Sequence, residues 1–155
     1  MTAGATTPTT IRDAPDVAFR EIEDGDVDRV VALWEACGLT RPWNDPRRDV
    51  ADARRTPTST VLVGLAGERV VSSVLAGHDG HRGWLYYVAV DPQVQGSGLG
   101  RATVAAAEDW LRGRGVRKVQ LMVRATNTRV VGFYDRLGYA EQETVVLGRW
   151  LDGSR

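Results

Sequence analysis

The stretch Gln95-Gly96-Ser97-Gly98-Leu99-Gly100-Arg101 constrains this chain of 155 residues more than any other. It follows an apolar run, Trp84 to Val90, and it precedes an Ala-rich segment with helical spacing. The first turn of a helix leaves N–H groups unpaired and carries partial positive charge, and glycines let a bulky anion approach those groups. The spacing alone fits two structures equally well, a pyrophosphate-binding loop and a tight turn from strand to helix.

Two common nucleotide-binding patterns are excluded at this loop. In the dinucleotide fingerprint G-x-G-x-x-G/A, the third small residue lets the helix pack closely on the strand. Counted from Gly96, that position is Arg101, which is far too large, and the acidic ribose partner expected about 20 residues later is missing. The Gly-Lys-Ser/Thr tripeptide of a P-loop does not occur anywhere in the sequence.

Composition narrows the class of protein further. Apolar residues make up 43% of the chain, and 20 basic residues balance 20 acidic ones, so the chain has no basic excess for a nucleic-acid partner. No apolar run approaches the ~20 residues of a membrane span, and the start MTAGATTPTTIRDAP lacks the apolar region of a secretory signal. The single Cys37 predicts neither a disulfide framework nor a metal cluster, and we expect it to be a small packing residue. These features predict a cytoplasmic protein without a resident metal.

Hydrophobic periodicity predicts one domain over residues 18–155, preceded by a flexible leader over residues 1–17. The order of elements is β, α, α, β, β, β, α, β, α, β, which predicts an α+β fold with a mixed, mostly antiparallel sheet flanked by helices. The predicted strands cover residues 17–21, 60–66, 69–77, 84–90, 118–123 and 144–150. A first helix is predicted after a cap at Asp24 or Asp26, with Val27, Val30, Val31 and Trp34 on one stripe. Three further helices are predicted over residues 47–55, 98–112 and 127–137.

Two motifs resemble those of the Gcn5-related N-acetyltransferases (GNATs). Gln95-x-x-Gly98-x-Gly100 is similar to the family pattern Q/R-x-x-G-x-G/A, and it lies between a strand and a long helix as in the family. Residues Asn127 to Tyr139 are similar to the second pattern, N…(F/Y)-Y-x-x-x-G-(F/Y). Segments Leu39–Pro46 and Asp79–Gly83 resemble those of small bacterial YpeA-like members. The resemblance extends over nearly all of residues 18–151 and implies the GNAT (acyl-CoA N-acyltransferase) fold.

The resemblance also implies acetyl-CoA as co-substrate and an amine as acceptor, with direct transfer in a ternary complex. The pyrophosphate would bind to backbone N–H groups of the loop, namely those of Gln95, Gly96, Ser97, Gly98, Leu99, Gly100 and Arg101. The pantetheine arm would lie where two strands diverge, between Val88, Ala89 and Val90 on one side and residues 123–126 on the other. An extended amide-bearing arm can add to such strands as a peptide does. Asn127 would orient the arm by a hydrogen bond.

The resemblance places a general acid at Tyr134, which would protonate the leaving thiolate. The reference pKa of tyrosine, about 10, is close to that of thiols. The base is left open, because the strand before the loop, Trp84 to Val90, contains no carboxylate. The candidates for the base are Asp79, His81, Glu35 and Asp45, or a water chain lined by Tyr86 or Tyr87. Because side chains alternate along a strand, we expect only one of these two tyrosines to reach the site.

Arg41, Trp43, Asn44 and Asp45 form the candidate acceptor-binding group, together with Tyr86 and Tyr87. Trp43 and Asp45 could equally belong to an Asx-Pro turn in which the tryptophan fills the core. The predicted partner is a small-molecule or peptide amine rather than nucleic acid or a membrane, and the family implies a possible homodimer. Two alternatives to a small-molecule enzyme stay open, a non-catalytic acyl-CoA-binding regulatory module and a protein N-terminal acetyltransferase.

Overall fold

The computed structural model describes residues 16 to 154, so the leader predicted over residues 1–17 lies almost wholly outside the described residues. Within these residues the chain forms five strands and four α-helices in the order β, α, α, β, β, β, α, β, α. The strands are β1 (Ala18–Glu21), β2 (Ser59–Ala66), β3 (Arg69–His78), β4 (Gly83–Val90) and β5 (Val119–Leu121). The helices are α1 (Val27–Ala36), α2 (Pro46–Arg55), α3 (Leu99–Arg112) and α4 (Thr128–Arg136). Within residues 16–154, no helix has the length and apolar character that a membrane span requires.

The strands form one sheet in the order β1-β2-β3-β4-β5. The first four strands are antiparallel neighbours, whereas β4 and β5 run parallel, and α3 connects them. Parallel strands begin at the same end of the sheet, so the chain must return along the sheet between them. A tight turn cannot make this connection, and a crossover such as α3 is required. The mixed, mostly antiparallel sheet predicted from the sequence is therefore confirmed.

Helices cover both faces of the sheet and create two apolar clusters. On one face, α1 and α2 bury Val30, Leu33, Trp34 and Val50 against β2 and β3. On the other face, α3 and α4 bury Val104, Leu111 and Tyr134 against β2, β3 and β4. The sheet is thus the middle of three layers, and β4 contributes side chains to both clusters.

The strand predicted over residues 144–150 is wrong. The structure assigns no strand there, and Val145, Leu147 and Leu151 are 84%, 90% and 93% exposed. The β-branched run favours extended backbone, but a strand forms only where a neighbour offers a free edge. The strand that precedes this run in the chain, β5, extends over only three residues instead of the six expected, so it offers a short edge.

Candidate active site

The loop before α3 is held in place by its own side chains. The Ser97 hydroxyl donates to the carbonyl oxygen of Val94 at 2.6 Å, and the Gln95 side chain donates to the carbonyl oxygen of Val90 at 3.2 Å. Gly98 occupies the N-cap position of α3 with φ +81°, a left-handed conformation that favours glycine. The loop therefore enters the helix through a turn that a residue with a side chain would strain.

This turn leaves a row of backbone donors unpaired. Within residues 16–154, no N–H group of residues 95–101 donates to a protein acceptor, and the first bond of the helix runs from Ala102 to Gly98. Seven successive amides at the positive end of a 14-residue helix form a site suited to an anion. An added Cβ at Gly96 or Gly98 would meet no atom within 4 Å, so the glycines leave open space there. The donor set fits the pyrophosphate of acetyl-CoA.

Gly100 has a different role from the other two glycines. A Cβ added there would lie 3.1 Å from the ring of Phe133, closer than most real contacts. The missing side chain therefore lets α4 pack against the start of α3. Gly98 therefore shapes the tight turn and Gly100 allows close helix packing, as one alternative required. The amides that the other alternative, a pyrophosphate-binding loop, would use have no acceptor within residues 16–154, and that alternative stays a prediction.

A buried carboxylate fixes the point where β4 ends and the loop begins. Asp91 is 3% exposed, and its carboxylate accepts hydrogen bonds from Arg29 and Arg69 at 2.6 Å each. The Gln93 amide, which donates to the same side chain at 2.9 Å, and the two guanidinium groups hold the pKa of Asp91 below its usual range. Charge-assisted hydrogen bonds of this kind make the loop start rigid.

The strands β4 and β5 diverge beside the loop. Their parallel pairing covers only Gly83–Leu85 against Val119–Leu121, and β4 then continues to Val90 without β5 beside it. Within residues 16–154, no strand pairs with the edge of β4 that faces away from β3 at residues 88–90, although the Val90 carbonyl oxygen accepts from the side chains of Gln95 and Cys37. The two strands thus diverge beside Val88, Ala89 and Val90, as the sequence predicted, and the binding of an amide-bearing arm at this edge stays a prediction.

A cavity of about 650 Å³ opens on the α1/α2 face where the two strands part. Its size is in the range of small-molecule sites. Four residues predicted to bind the acceptor line it, namely Arg41, Asn44, Tyr86 and Tyr87. The other polar groups of the lining, which no motif in the sequence indicates, include Asp49 and Asp52 from α2 and Arg124 from the segment after β5.

The expectation that only one of Tyr86 and Tyr87 reaches the site is wrong. The pairing of β3 with β4 shifts between Ser73 and Leu75, and Tyr87 has φ +52°. This irregularity is a β-bulge, which adds one residue to β4 and breaks the alternation of side chains. Both tyrosines therefore line the same cavity.

The remaining acceptor-side candidates lie outside the cavity lining. The Asp45 carboxylate caps α2 by accepting from the amides of Arg47 and Arg48. Trp43 is 55% exposed, so it does not fill the core as one interpretation of its turn required.

The base candidates Asp79, His81 and Glu35 also lie outside the cavity lining. Asp79 and His81 lie in the turn between β3 and β4, where the Asp79 carboxylate accepts from the His81 amide at 2.9 Å. The hydrogen bonds of this turn lower the pKa of Asp79, first through the Arg82 amide and then through that of His81. Glu35 is exposed on α1.

Tyr134 and Asn127 lie on the other side of the sheet from the cavity, at α4. Tyr134 is 8% exposed and packs edge-on against the rings of Phe133 and Tyr139. Burial raises the pKa of Tyr134 to about 12. This pKa is further from that of thiols than the reference pKa of tyrosine, about 10. Its hydroxyl makes no hydrogen bond within residues 16–154 and is not sealed from solvent. The Asn127 side-chain oxygen caps α4 by accepting from the Val130 amide at 3.3 Å.

Comparison with known proteins identifies the class to which this architecture belongs. Residues 27–139 match the Acetyltransferase (GNAT) family. The chain is 39% identical to "Acetyltransferase YE1169" of Yersinia enterocolitica over 133 residues, which are 86% of this chain and 94% of that protein. The chain belongs to the GNAT family of acetyltransferases. The enzyme class predicted from the motifs, an acyltransferase that uses acetyl-CoA as the acetyl donor, is thereby confirmed.

Two solved structures share the fold at low sequence identity. Aminoglycoside N-acetyltransferase AAC(6')-Iy in complex with CoA is 16% identical, with a TM-score of 0.76, and the match covers 87% of this chain and 95% of that one. An aminoglycoside acetyltransferase from an uncultured soil metagenomic sample, solved with sisomicin, is also 16% identical, with a TM-score of 0.72 and coverage of 86% and 95%. The arrangement of the sheet and helices is thus that of acetyltransferases.

Asp49 was accessible to sequence reasoning in one respect. It lies on the same helical face as Asp52, Ala53 and Thr56, beside the stripe that buries Val50. A polar stripe beside a buried one is, however, the pattern of any amphipathic surface helix, so it does not by itself indicate a cavity. No pattern in the sequence places that stripe opposite a bulge in β4.

Proposed function

We propose that this enzyme transfers the acetyl group of acetyl-CoA to the primary amine of a small molecule bound in the cavity between α2 and β4. The amine attacks the thioester directly, so no residue of the protein is acetylated on the way. Cys37 is not suited to a covalent role, because its thiol donates to the Val90 carbonyl oxygen at 3.2 Å and burial raises its pKa.

One observation carries the proposal, namely that the cavity opens where β4 and β5 part. Tyr86 and Tyr87 of β4 line it, and so do Met122 and Arg124, which follow β5 directly. An arm that runs from the amides of the loop through this gap would present its thioester at the cavity. The cavity volume of about 650 Å³ is in the range of sites that bind small molecules.

The chemistry requires a donor for the developing oxyanion and an acid for the thiolate. In this proposal, an unpaired amide of β4 within residues 88–90 stabilises the oxyanion. Tyr134 donates a hydrogen bond to the leaving sulfur, and Asn127 orients the pantetheine arm with the amide hydrogens that its capping bond leaves free. With its raised pKa, Tyr134 stays protonated throughout the physiological range.

The acceptor is an ammonium ion at neutral pH, and Asp49 and Asp52 place carboxylates on the α2 side of the cavity. Two proteins that share the fold are named aminoglycoside acetyltransferases, and one of them was solved with sisomicin, which supports a small-molecule amine as the acceptor here. Asp45 and Asp79, the residues first considered for this contact, belong to a helix cap and a turn instead.

The test is release of the CoA thiol in the presence of amines from four classes: aminoglycosides, polyamines, amino acids and short peptides. We expect turnover with at least one small amine and initial-velocity lines that intersect, as a ternary complex requires. Binding of acetyl-CoA without turnover on any amine would indicate the regulatory module. Turnover confined to peptide N-termini would indicate the protein acetyltransferase.

A further inference from the structure

The acceptor must lose a proton before it can attack, yet β4 contains no carboxylate. The structure supplies one from another element. The Tyr87 hydroxyl donates to Asp49 Oδ2 at 2.6 Å, and both side chains line the cavity. The Asp49 carboxylate of α2 is thus hydrogen-bonded to the Tyr87 phenol of β4, the strand that diverges from β5.

The position of Tyr87 is fixed from behind. Its ring stacks on the indole of Trp34 with centroids 3.9 Å apart and planes 5° from parallel. Trp34 is fully buried, and its Nε1 donates to the buried hydroxyl of Ser73 at 3.0 Å. The φ of +52° at Tyr87, which bulky residues rarely adopt, turns this ring towards α2. Strained backbone held by surrounding packing is typical of functional positions.

We propose that Tyr87 and Asp49 form the proton-accepting pair of the reaction, an inference that rests on the proposed function. The Tyr87 oxygen accepts an N–H of the bound ammonium, and as that proton moves to the phenol, the phenol's own proton moves to Asp49. The neutral nitrogen then attacks the thioester carbon, so that the C–N bond forms and the C–S bond breaks. Tyr134 protonates the departing thiolate and takes in turn the second proton that the nitrogen loses, and Asp49 returns the first to water.

Tyr87 is the catalytic member of the pair, because it would touch the amine, and Asp49 acts through it. Burial raises the pKa of Tyr87, and the Asp49 carboxylate raises it further. The phenol therefore stays protonated at neutral pH and can pass on a proton only as it receives one. This is the behaviour of a relay rather than of an independent base.

The other charged or titratable groups facing the pair are less suited to the role. Asp52 is held by ion pairs with Arg48 and Arg55. Arg41 and Arg124 are cations that cannot accept a proton, and Tyr86 has no carboxylate partner among its hydrogen bonds within residues 16–154. Asp49 alone lies on the cavity wall with a phenol donating to it.

The experiment compares Asp49→Asn with the matched control Glu108→Gln, which changes another carboxylate that accepts from a phenol, that of Tyr139 at 2.8 Å, on the α3 side of the sheet. With the best amine from the panel, we expect Asp49→Asn to lower kcat at pH 7 by about 100-fold, within the range of general-base catalysis. The KM for acetyl-CoA should stay within twofold of the wild type. Glu108→Gln should keep kcat within about threefold.

Two further readouts separate proton transfer from a structural role. The rate of Asp49→Asn should recover as pH rises, because hydroxide can then deprotonate the amine, so the rising limb of kcat/KM moves to higher pH. Asp49→Glu should recover part of the rate, and formate added to Asp49→Ala should restore activity in proportion to its concentration. Melting temperatures within a few degrees of the wild type would exclude unfolding as the cause.

Turnover by Asp49→Asn within threefold of the wild type and with an unchanged pH profile would overturn the inference and leave the proposed function intact. A rate loss that neither higher pH, glutamate nor formate relieves would also overturn it, in favour of a structural role. Absence of turnover in the wild-type protein would overturn both.

Discussion

Replacing Tyr134 by Phe removes one hydroxyl and nothing else from the cluster between α4 and the sheet. The ring keeps its edge contacts with Phe133 and Tyr139. Because the hydroxyl has no hydrogen-bond partner within residues 16–154, we expect the free energy of unfolding to change by less than about 1 kcal/mol. If Tyr134 is the acid, kcat should fall by about 10²-fold or more, the usual contribution of a positioned acid.

The pH dependence gives a sharper test of the same residue. A general acid works only while protonated, so activity is lost as pH rises through its pKa. Burial raises the pKa of Tyr134 to about 12, whereas a tyrosine in water is half ionised near pH 10. We therefore expect the kcat of the wild-type protein to stay level from pH 8 to 10.5. The assay is thiol release with a saturating amine, buffered across that range.

Tyr139→Phe is the matched control for Tyr134→Phe. The Tyr139 hydroxyl donates to Glu108 at 2.8 Å, so its loss should lower stability by about 1 kcal/mol and leave kcat unchanged. The reasoning is refuted if Tyr134→Phe keeps kcat within threefold of the wild type at every pH. A fall of wild-type kcat by half near pH 10, absent from Tyr134→Phe, would contradict the raised pKa instead.

Three further predictions concern the loop, the carboxylate before it and the thiol. Gly98→Ala and its control Gly115→Ala (φ +76°) should each lower the melting temperature by about 2 to 6 °C through backbone strain, but only Gly98→Ala should weaken acetyl-CoA binding in calorimetry. Asp91→Asn should cost about 2 kcal/mol in urea unfolding at pH 7. That difference should shrink as pH falls below about 4, because the pKa of Asp91 is lowered in the folded protein. Cys37 should react with thiol reagents at pH 7 more slowly than free cysteine, since its pKa is raised; equal rates would contradict the burial.

Much of the fold follows from local patterns in the sequence. The hairpin of β2 and β3 is visible as two β-branched runs around Gly67, and α3 is visible as helical spacing after a glycine. These elements were predicted because their own residues determine them. The run at residues 144–150 is equally β-like, yet it forms no strand, because pairing depends on a neighbour that the local pattern does not describe.

The candidate site divides in the same way. The row of free amides could be predicted, because a loop motif and a helix start lie next to each other in the chain. The contact of Tyr87 with Asp49 could not, since it joins residues 38 positions apart and depends on a bulge that reverses the expected direction of one side chain. Asp45 is the converse case. The sequence suggested it as an acceptor-binding residue, but its carboxylate accepts hydrogen bonds from the first amides of its own helix.

The central claim is that the amides of residues 95–101 bind acetyl-CoA beside the diverging strands. Amide chemical shifts of uniformly labelled protein, followed while CoA is added, test it directly. We predict that the largest shifts fall on Gly96, Gly98 and Gly100, followed by residues 86–90 of β4. Saturable CoA binding that leaves these three glycine amides unmoved, with the shifts confined to other parts of the chain, would contradict the account.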